Sequence, residues 1–214
     1  MLKEYPVCLE ISGPAAMWTR PDTGDSPVSY PAPTYSAVRG IFESILWSEW
    51  AMVVPTKVEI CSPITFHQYT TNYGGPLRKS KVITGGGSYQ LAATILVNVC
   101  YRLYARAEPY LAGYAKHGRP GLQSVGTTNG AHAYMEVFNR RIRRGQCYRV
   151  PCLGWSEFLP DYVGAFRAGT SVSDDINLTI PSMLRTCFAG HGSSWDPKYD
   201  VDVRIEKGVL RFAE

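Results

Sequence analysis

Residues 88–107 read SYQLAATILVNVCYRLYARA, and apolar side chains fall two apart along most of it: Tyr89, Leu91, Ala93, Ile95, Val97, Val99, Tyr101 and Leu103. Successive side chains of a strand point to opposite faces, so this period of two turns one face to a core and the other away from it. The stretch reads as one long strand, or as two meeting at a bend. Gly85-Gly86-Gly87 precedes it, and residues 108–130, with five glycines and two prolines, follow it as a loop.

Working outward, the period changes. Thr34 suits an N-cap, and Tyr35, Val38, Ile41, Phe42 and Ile45 then recur at helical spacing. They predict a first helix over 35–47 with Arg39 and Glu43 on its wet face. Met135, Phe138 and Ile142 form the stripe of a second helix over 131–144, which Gly145 ends. Tyr5–Ile11 reads as a strand, Ala51–Phe66 as a strand interrupted near Pro55, and Tyr148–Leu153 as a short strand. The order β-α-β-β-α-β is that of the split βαβ unit. The expected fold is α+β: a ferredoxin-like (RRM-like, βαββαβ) domain over 1–153 with inserted hairpins and loops, then a small antiparallel β-rich C-terminal domain over 154–214. In that tail only Asn177–Ile180, Val201–Ile205 and Val209–Phe212 have strand character. Two helices on one side of such a sheet leave its other face open, the face on which RNA-recognition modules carry nucleic acid.

The 214 residues are 45% hydrophobic, which excludes wholesale disorder. Lys plus Arg, at 22, exceed Asp plus Glu, at 18, for a net charge of +4 that matters only where the cations cluster. No run approaches the ~20 apolar residues of a membrane span. Met1-Leu2-Lys3-Glu4-Tyr5-Pro6 lacks the apolar core of a signal peptide, so a cytoplasmic protein is expected. The six cysteines at 8, 61, 100, 147, 152 and 187 form no CxxC pair. Cys187 and His191 have helical-turn spacing, but two ligands do not make a zinc site, and neither metal nor cofactor is expected.

No GxSxG, HExxH, Walker A or GxGxxG pattern is present. The strongest charge feature is Asn139-Arg140-Arg141-Ile142-Arg143-Arg144. One or two cations complement a helix C-terminus. Four arginines in five positions point further, to a surface that takes phosphate. Arg78, Lys79 and Lys81 sit in the glycine-rich segment 67–87, which reads as a mobile hairpin or loop. His132 opens the second helix, and Lys116-His117 lies in the loop before it. Metal-independent RNA cleavage needs a base for the 2′-hydroxyl, an acid for the leaving oxygen and a cation for the developing charge, and these residues include those types.

Two longer stretches carry a family likeness. One is Ser12-Gly13-Pro14-Ala15-Ala16-Met17-Trp18-Thr19-Arg20-Pro21, continued by Val28–Trp47. The other is Phe138-Asn139-Arg140-Arg141-Ile142-Arg143-Arg144-Gly145-Gln146, continued by Pro151-Cys152-Leu153-Gly154-Trp155-Ser156-Glu157-Phe158. Together they resemble the CRISPR-associated Cas-five family of the RAMP superfamily, subtype I-C (Dvulg). The matches spread over roughly the first three quarters of the chain, and the tail past residue 165 adds little. The resemblance implies a ferredoxin-like domain followed by a small β-rich one. It also implies a subunit of a type I Cascade-type surveillance complex that holds the crRNA 5′ handle. Its partners would be crRNA, the backbone and large subunits, and DNA near the target duplex, without any membrane.

In subtype I-C the family member also cuts precursor crRNA without metal. The family's catalytic groups are an aromatic or histidine just before the Trp that ends the first helix and a Lys-His pair opening the second. Here Leu46 precedes Trp47, Ala133 and Tyr134 stand at the Lys-His positions counted back from Gly145, and Ser156 replaces the Arg of Leu-Gly-x-Arg-Glu-Phe. A shift of one or two residues brings in His132, or Lys116 and His117 serve from the enlarged loop, or processing is absent. The expected catalytic set, if the protein is a nuclease, is therefore His132, Tyr134, Lys116 and His117. The expected RNA-binding set is Arg39, Arg78, Lys79, Lys81, Arg140, Arg141, Arg143 and Arg144. The leading reading is a crRNA-binding subunit. The alternatives are a precursor-crRNA endoribonuclease leaving a 2′,3′-cyclic phosphate, and a generic ferredoxin-like domain that binds a small molecule or protein.

Overall fold

A computed structural model describes residues 4–72, 90–109, 129–188 and 195–213. The elements run β1 (Pro6–Ala16), α1 (Tyr35–Ile45), β2 (Ala51–Ile60), β3 (Phe66–Asn72), β4 (Gln90–Pro109), α2 (Gly130–Arg144), β5 (Tyr162–Gly164), β6 (Leu178–Phe188), β7 (Trp195–Glu206) and β8 (Val209–Arg211). The strands form one mostly antiparallel curled sheet in the order β5-β1-β4-β2-β8-β7-β6, with β3 added alongside β4. No helix among the described residues is long and apolar enough to cross a membrane.

The long alternating stretch is the central strand. β4 pairs β3 through residues 90–96, β1 through 96–106 and β2 through 101–109. It bends where Asn98 adopts φ 52, a left-handed conformation that asparagine tolerates better than most residues. Tyr101, Leu103, Ala105 and Ala107 face the core on one side of the sheet with Val7, Leu9 and Ile11 of β1 and Val58 and Ile60 of β2. Both helices cover that side. Val38, Ile41, Phe42 and Ile45 of α1 and Tyr134 and Phe138 of α2 are buried, and the Phe42 and Phe138 rings meet at 5.4 Å.

Four expectations about elements change. α1 stops at Ile45 because Leu46 turns extended, at φ −146 and ψ 110. Ala51–Phe66 is not one strand: β2 has a bulge between Pro55 and Lys57 and ends at Ile60, and Phe66 begins β3. Tyr148–Leu153 is not a strand, and β1 takes its edge partner from Tyr162–Gly164 instead. The tail holds longer strands than its short apolar runs suggested. β6 and β7 form a hairpin, and β8 turns back at Lys207-Gly208, both at positive φ, to pair with β7 and β2. Positive φ at both central residues is what a tight hairpin turn requires.

Candidate nucleic-acid interface

The sheet face turned away from the helices is already occupied by charges paired with one another. The register sets Glu10, Arg102 and Glu59 in one row across β1, β4 and β2 and Cys8, Tyr104 and Lys57 in the next. Lys57 Nζ lies 2.6 Å from Glu59 and 4.0 Å from the centre of the Tyr104 ring, and Tyr104 donates to Glu59 at 2.8 Å. Arg106 pairs with Glu108 at 2.6 Å. The segment after β5 crosses this face: Phe166 packs edge-on to Tyr104, and Arg167 and Thr170 both bond Glu10. The open aromatic face of an RNA-recognition module is therefore not presented here.

The basic surface lies at the end of α2. Asn129 caps the helix by accepting from the His132 N–H at 3.1 Å. At the other end Gly145 takes φ 62 and ψ 31, and Gln146 N–H returns to the Arg141 carbonyl at 3.0 Å, a left-handed close that glycine adopts without steric cost. With about 100° between successive residues, Arg140, Arg143 and Arg144 share one arc of the helix, and Glu136 and His132 continue the stripe toward its start. All five are exposed. Arg140, Arg143 and Arg144 form no ion pair or side-chain hydrogen bond among the described residues. His132 lies roughly 12 Å along the axis from Arg140, with Nε2 3.9 Å from Glu136 and its ring edge-on to Tyr5.

Two residues of the expected site do different work. A helix leaves its last carbonyls without partners. In α1 these are taken by α2 and the segment that follows it. Arg141 donates to the Ile45 carbonyl at 2.7 Å, Tyr134 to the Leu46 carbonyl at 2.6 Å, and the Tyr148 and Arg149 N–H groups to Ser44, each at 2.9 Å. Tyr134 is 1% exposed and stacked on Phe138, so its hydroxyl faces the helix end rather than solvent. Leu46 is buried beside it. Arg39 is half-exposed and pairs with Glu43 at 2.7 Å. Arg78, Lys79, Lys81, Lys116 and His117 lie outside the described residues. Of the hairpin or loop expected over 67–87, residues 67–72 belong to β3 and pair with β4, and the rest lies outside the described residues.

The segment after α2 also forms a wall. Between α1 and residues 148–154 runs an open groove of about 410 Å³, lined in part by Trp47, Tyr148, Arg149 and Val150. Its lower end is fixed where Met17 N–H bonds the Leu153 carbonyl at 2.8 Å. There Gly154, at φ +97, lies so close to the Met17 carbonyl that no Cβ fits. Trp47 passed unremarked as a site residue in the sequence, and Tyr148, Arg149 and Val150 read as part of a short strand. The available signal was a run of aromatic, basic and apolar residues directly after a basic helix.

Cys61 and Cys100 face each other across the end of β2, and Arg167 reaches Cys100 Sγ at 3.7 Å. Among the described residues no group of three or more His, Cys, Asp or Glu side chains is arranged to hold a metal ion.

A sequence profile of the family described as CRISPR-associated protein (Cas_Cas5), named Cas_Cas5d, matches residues 7–201. The CRISPR pre-crRNA endoribonuclease Cas5d of Mannheimia succiniciproducens is 30% identical over 165 residues, covering 70% of this chain and 68% of that protein. The protein of the same name from Thermus thermophilus is 27% identical over 177 residues, covering 82% and 70%. Among solved structures, a functionally uncharacterized protein from Streptococcus mutans superimposes with a TM-score of 0.69 at 18% identity, over 100% of this chain and 95% of that one. A CRISPR-associated protein does so with a TM-score of 0.67 at 19% identity, over 98% and 92%. Likeness at these identities is likeness of fold.

Proposed function

Because the chain belongs to the Cas5d family of CRISPR-associated proteins, we propose that it is the crRNA-binding subunit of a type I Cascade-type surveillance complex and holds the crRNA 5′ handle. The observation that carries this reading is the arc of Arg140, Arg143 and Arg144, exposed and, among the described residues, without a carboxylate partner. Guanidinium groups match phosphate geometry, and clustered arginines free of internal pairs release counterions when a polyanion binds. Arg78, Lys79 and Lys81 extend the set, and Arg39 joins it only where RNA displaces Glu43. The partners are crRNA, the backbone and large subunits, and DNA near the target duplex, in the cytoplasm.

The order β5-β1-β4-β2, with α1 and α2 against one face, supports a ferredoxin-like βαββαβ unit as the first domain. The boundary we propose is at residue 153, with β5 reaching back across it to β1.

A second reading, precursor-crRNA endoribonuclease, is favoured by the names of the two relatives and by His132 standing on the arginine face. In that reaction His132 takes the 2′-hydroxyl proton. The 2′-oxygen then attacks phosphorus, the 5′-oxygen leaves with a proton from an acid, and a 2′,3′-cyclic phosphate remains. Leu46 offers no titratable group, and Tyr134 is engaged with its carbonyl. Lys116 and His117 are the other candidates. Incubating the pure protein with its repeat RNA in EDTA tests the choice. The binding reading expects RNA that is bound and intact. Cleavage to a cyclic phosphate contradicts it, and His132→Ala should then slow single-turnover cleavage by ~10²–10⁴ without loss of affinity if His132 is the base.

A further inference from the structure

We infer that the groove between α1 and residues 148–154 receives one unstacked nucleobase of single-stranded RNA, held against the aromatic faces of Trp47 and Tyr148. The inference rests on the RNA-binding reading and adds to it a site that reads bases rather than phosphates. Trp47 is 55% exposed, Tyr148 70% and Val150 66%. Large apolar side chains so exposed in one groove mark a surface built to be covered. The wall carrying Tyr148 is fixed, because its own N–H and that of Arg149 both bond Ser44 at the end of α1. A rigid aromatic platform loses little entropy when a base stacks on it. Every base has a π-face, so such a platform tolerates any sequence.

Charge favours a nucleotide over an apolar peptide. Arg149 lines the groove, and the arginines of α2 end just before its wall, so a base in the groove has cations for its flanking phosphates. Glu43, the one carboxylate among the described lining residues, is paired with Arg39 at 2.7 Å. Gly40 gives a separate indication. It stands inside α1, where glycine costs stability relative to alanine, yet a Cβ built on it would meet nothing within 4 Å. Packing does not require the glycine; its effect is to keep the groove open.

The test compares affinity for a short oligouridylate with that for an abasic ribose-phosphate chain of equal length. The wild-type protein should prefer the uridylate. Trp47→Ala with Tyr148→Ala should lower uridylate affinity roughly 5- to 150-fold, the span found for one stacked base, while abasic affinity stays level. Trp47→Phe and Tyr148→Phe should retain most of the preference. Gly40→Leu should fill the groove and remove the preference without lowering thermal stability, which separates binding from folding. An equal loss on both chains, or no loss on either, overturns the inference and leaves the groove to a protein neighbour, with phosphate binding intact. If neither chain binds at low salt, the RNA-binding reading falls with it.

Discussion

Glu10 lies in the middle of β1 with none of its side chain exposed. Burial alone would raise its pKa, but hydrogen bonds from Thr170, the side chain and N–H of Arg167, and Arg102 outweigh it and hold the carboxyl below its ordinary value. A carboxyl with a lowered folded pKa adds stability above its unfolded value, and that stability disappears as pH falls through the folded one. Urea unfolding followed downward from pH 7 should therefore show stability falling below the ordinary carboxylate range, with a shallower acid decline in Glu10→Gln. At neutral pH Glu10→Ala should cost about 1–3 kcal/mol, because it removes the acceptor shared by Arg102, Arg167 and Thr170, while Arg102 keeps its bonds to the Arg167 and Thr170 carbonyls. An unchanged acid limb in Glu10→Gln would show that this carboxyl is not the one that titrates. None of this network was legible in the sequence. Glu10 falls inside the strand read over Tyr5–Ile11, but Arg167, the residue that covers it, lies 157 positions further on.

At the level of elements, the two helices were legible and the segment after the second was not. Thr34, the apolar stripes and Gly145 carry local information, and the capping bonds at Thr34 and Gly145 form as their residue types require. Tyr148–Leu153 has strand composition, yet the Tyr148 and Arg149 N–H groups go to carbonyls of α1 that the helix itself leaves unpaired. Such a bond depends on where the end of α1 lies in space, which no local pattern reports. The basic cluster divides for the same reason: Arg141 braces the end of α1, and its three neighbours face solvent. Tyr134→Phe leaves the buried Leu46 carbonyl without a partner and should cost about 1–3 kcal/mol in chemical denaturation. RNA affinity should not change. A parallel loss of affinity at full folding would give Tyr134, expected only in the catalytic set, a part in RNA binding.

Across the whole molecule, a net charge of +4 is modest, and its placement is what gives it meaning. Arg20, Lys57, Arg102, Arg106, Arg167, Arg185 and Lys198 each pair with a carboxylate within 4.0 Å. These cations thus largely cancel locally, while Arg140, Arg143 and Arg144 of α2 pair with no carboxylate among the described residues. The sequence pointed to the basic helix, but it suggested the open sheet face as a place for RNA, because the segment at 166–170 that covers that face has no signature of its own. Likewise the continuity of the sheet into the tail depends on three pairs between β8 and β2, too few to read from composition. On the proposed reading, RNA phosphates bind the exposed arc of α2. The most direct test is the salt dependence of affinity for single-stranded RNA in Arg140→Ala, Arg143→Ala, Arg144→Ala combined, with Arg141 kept. Each lost contact lowers the slope of log K against log salt by ~0.7, so the slope should become shallower by about two, with weaker binding and an unchanged fold. A slope equal to that of the wild-type protein would contradict it.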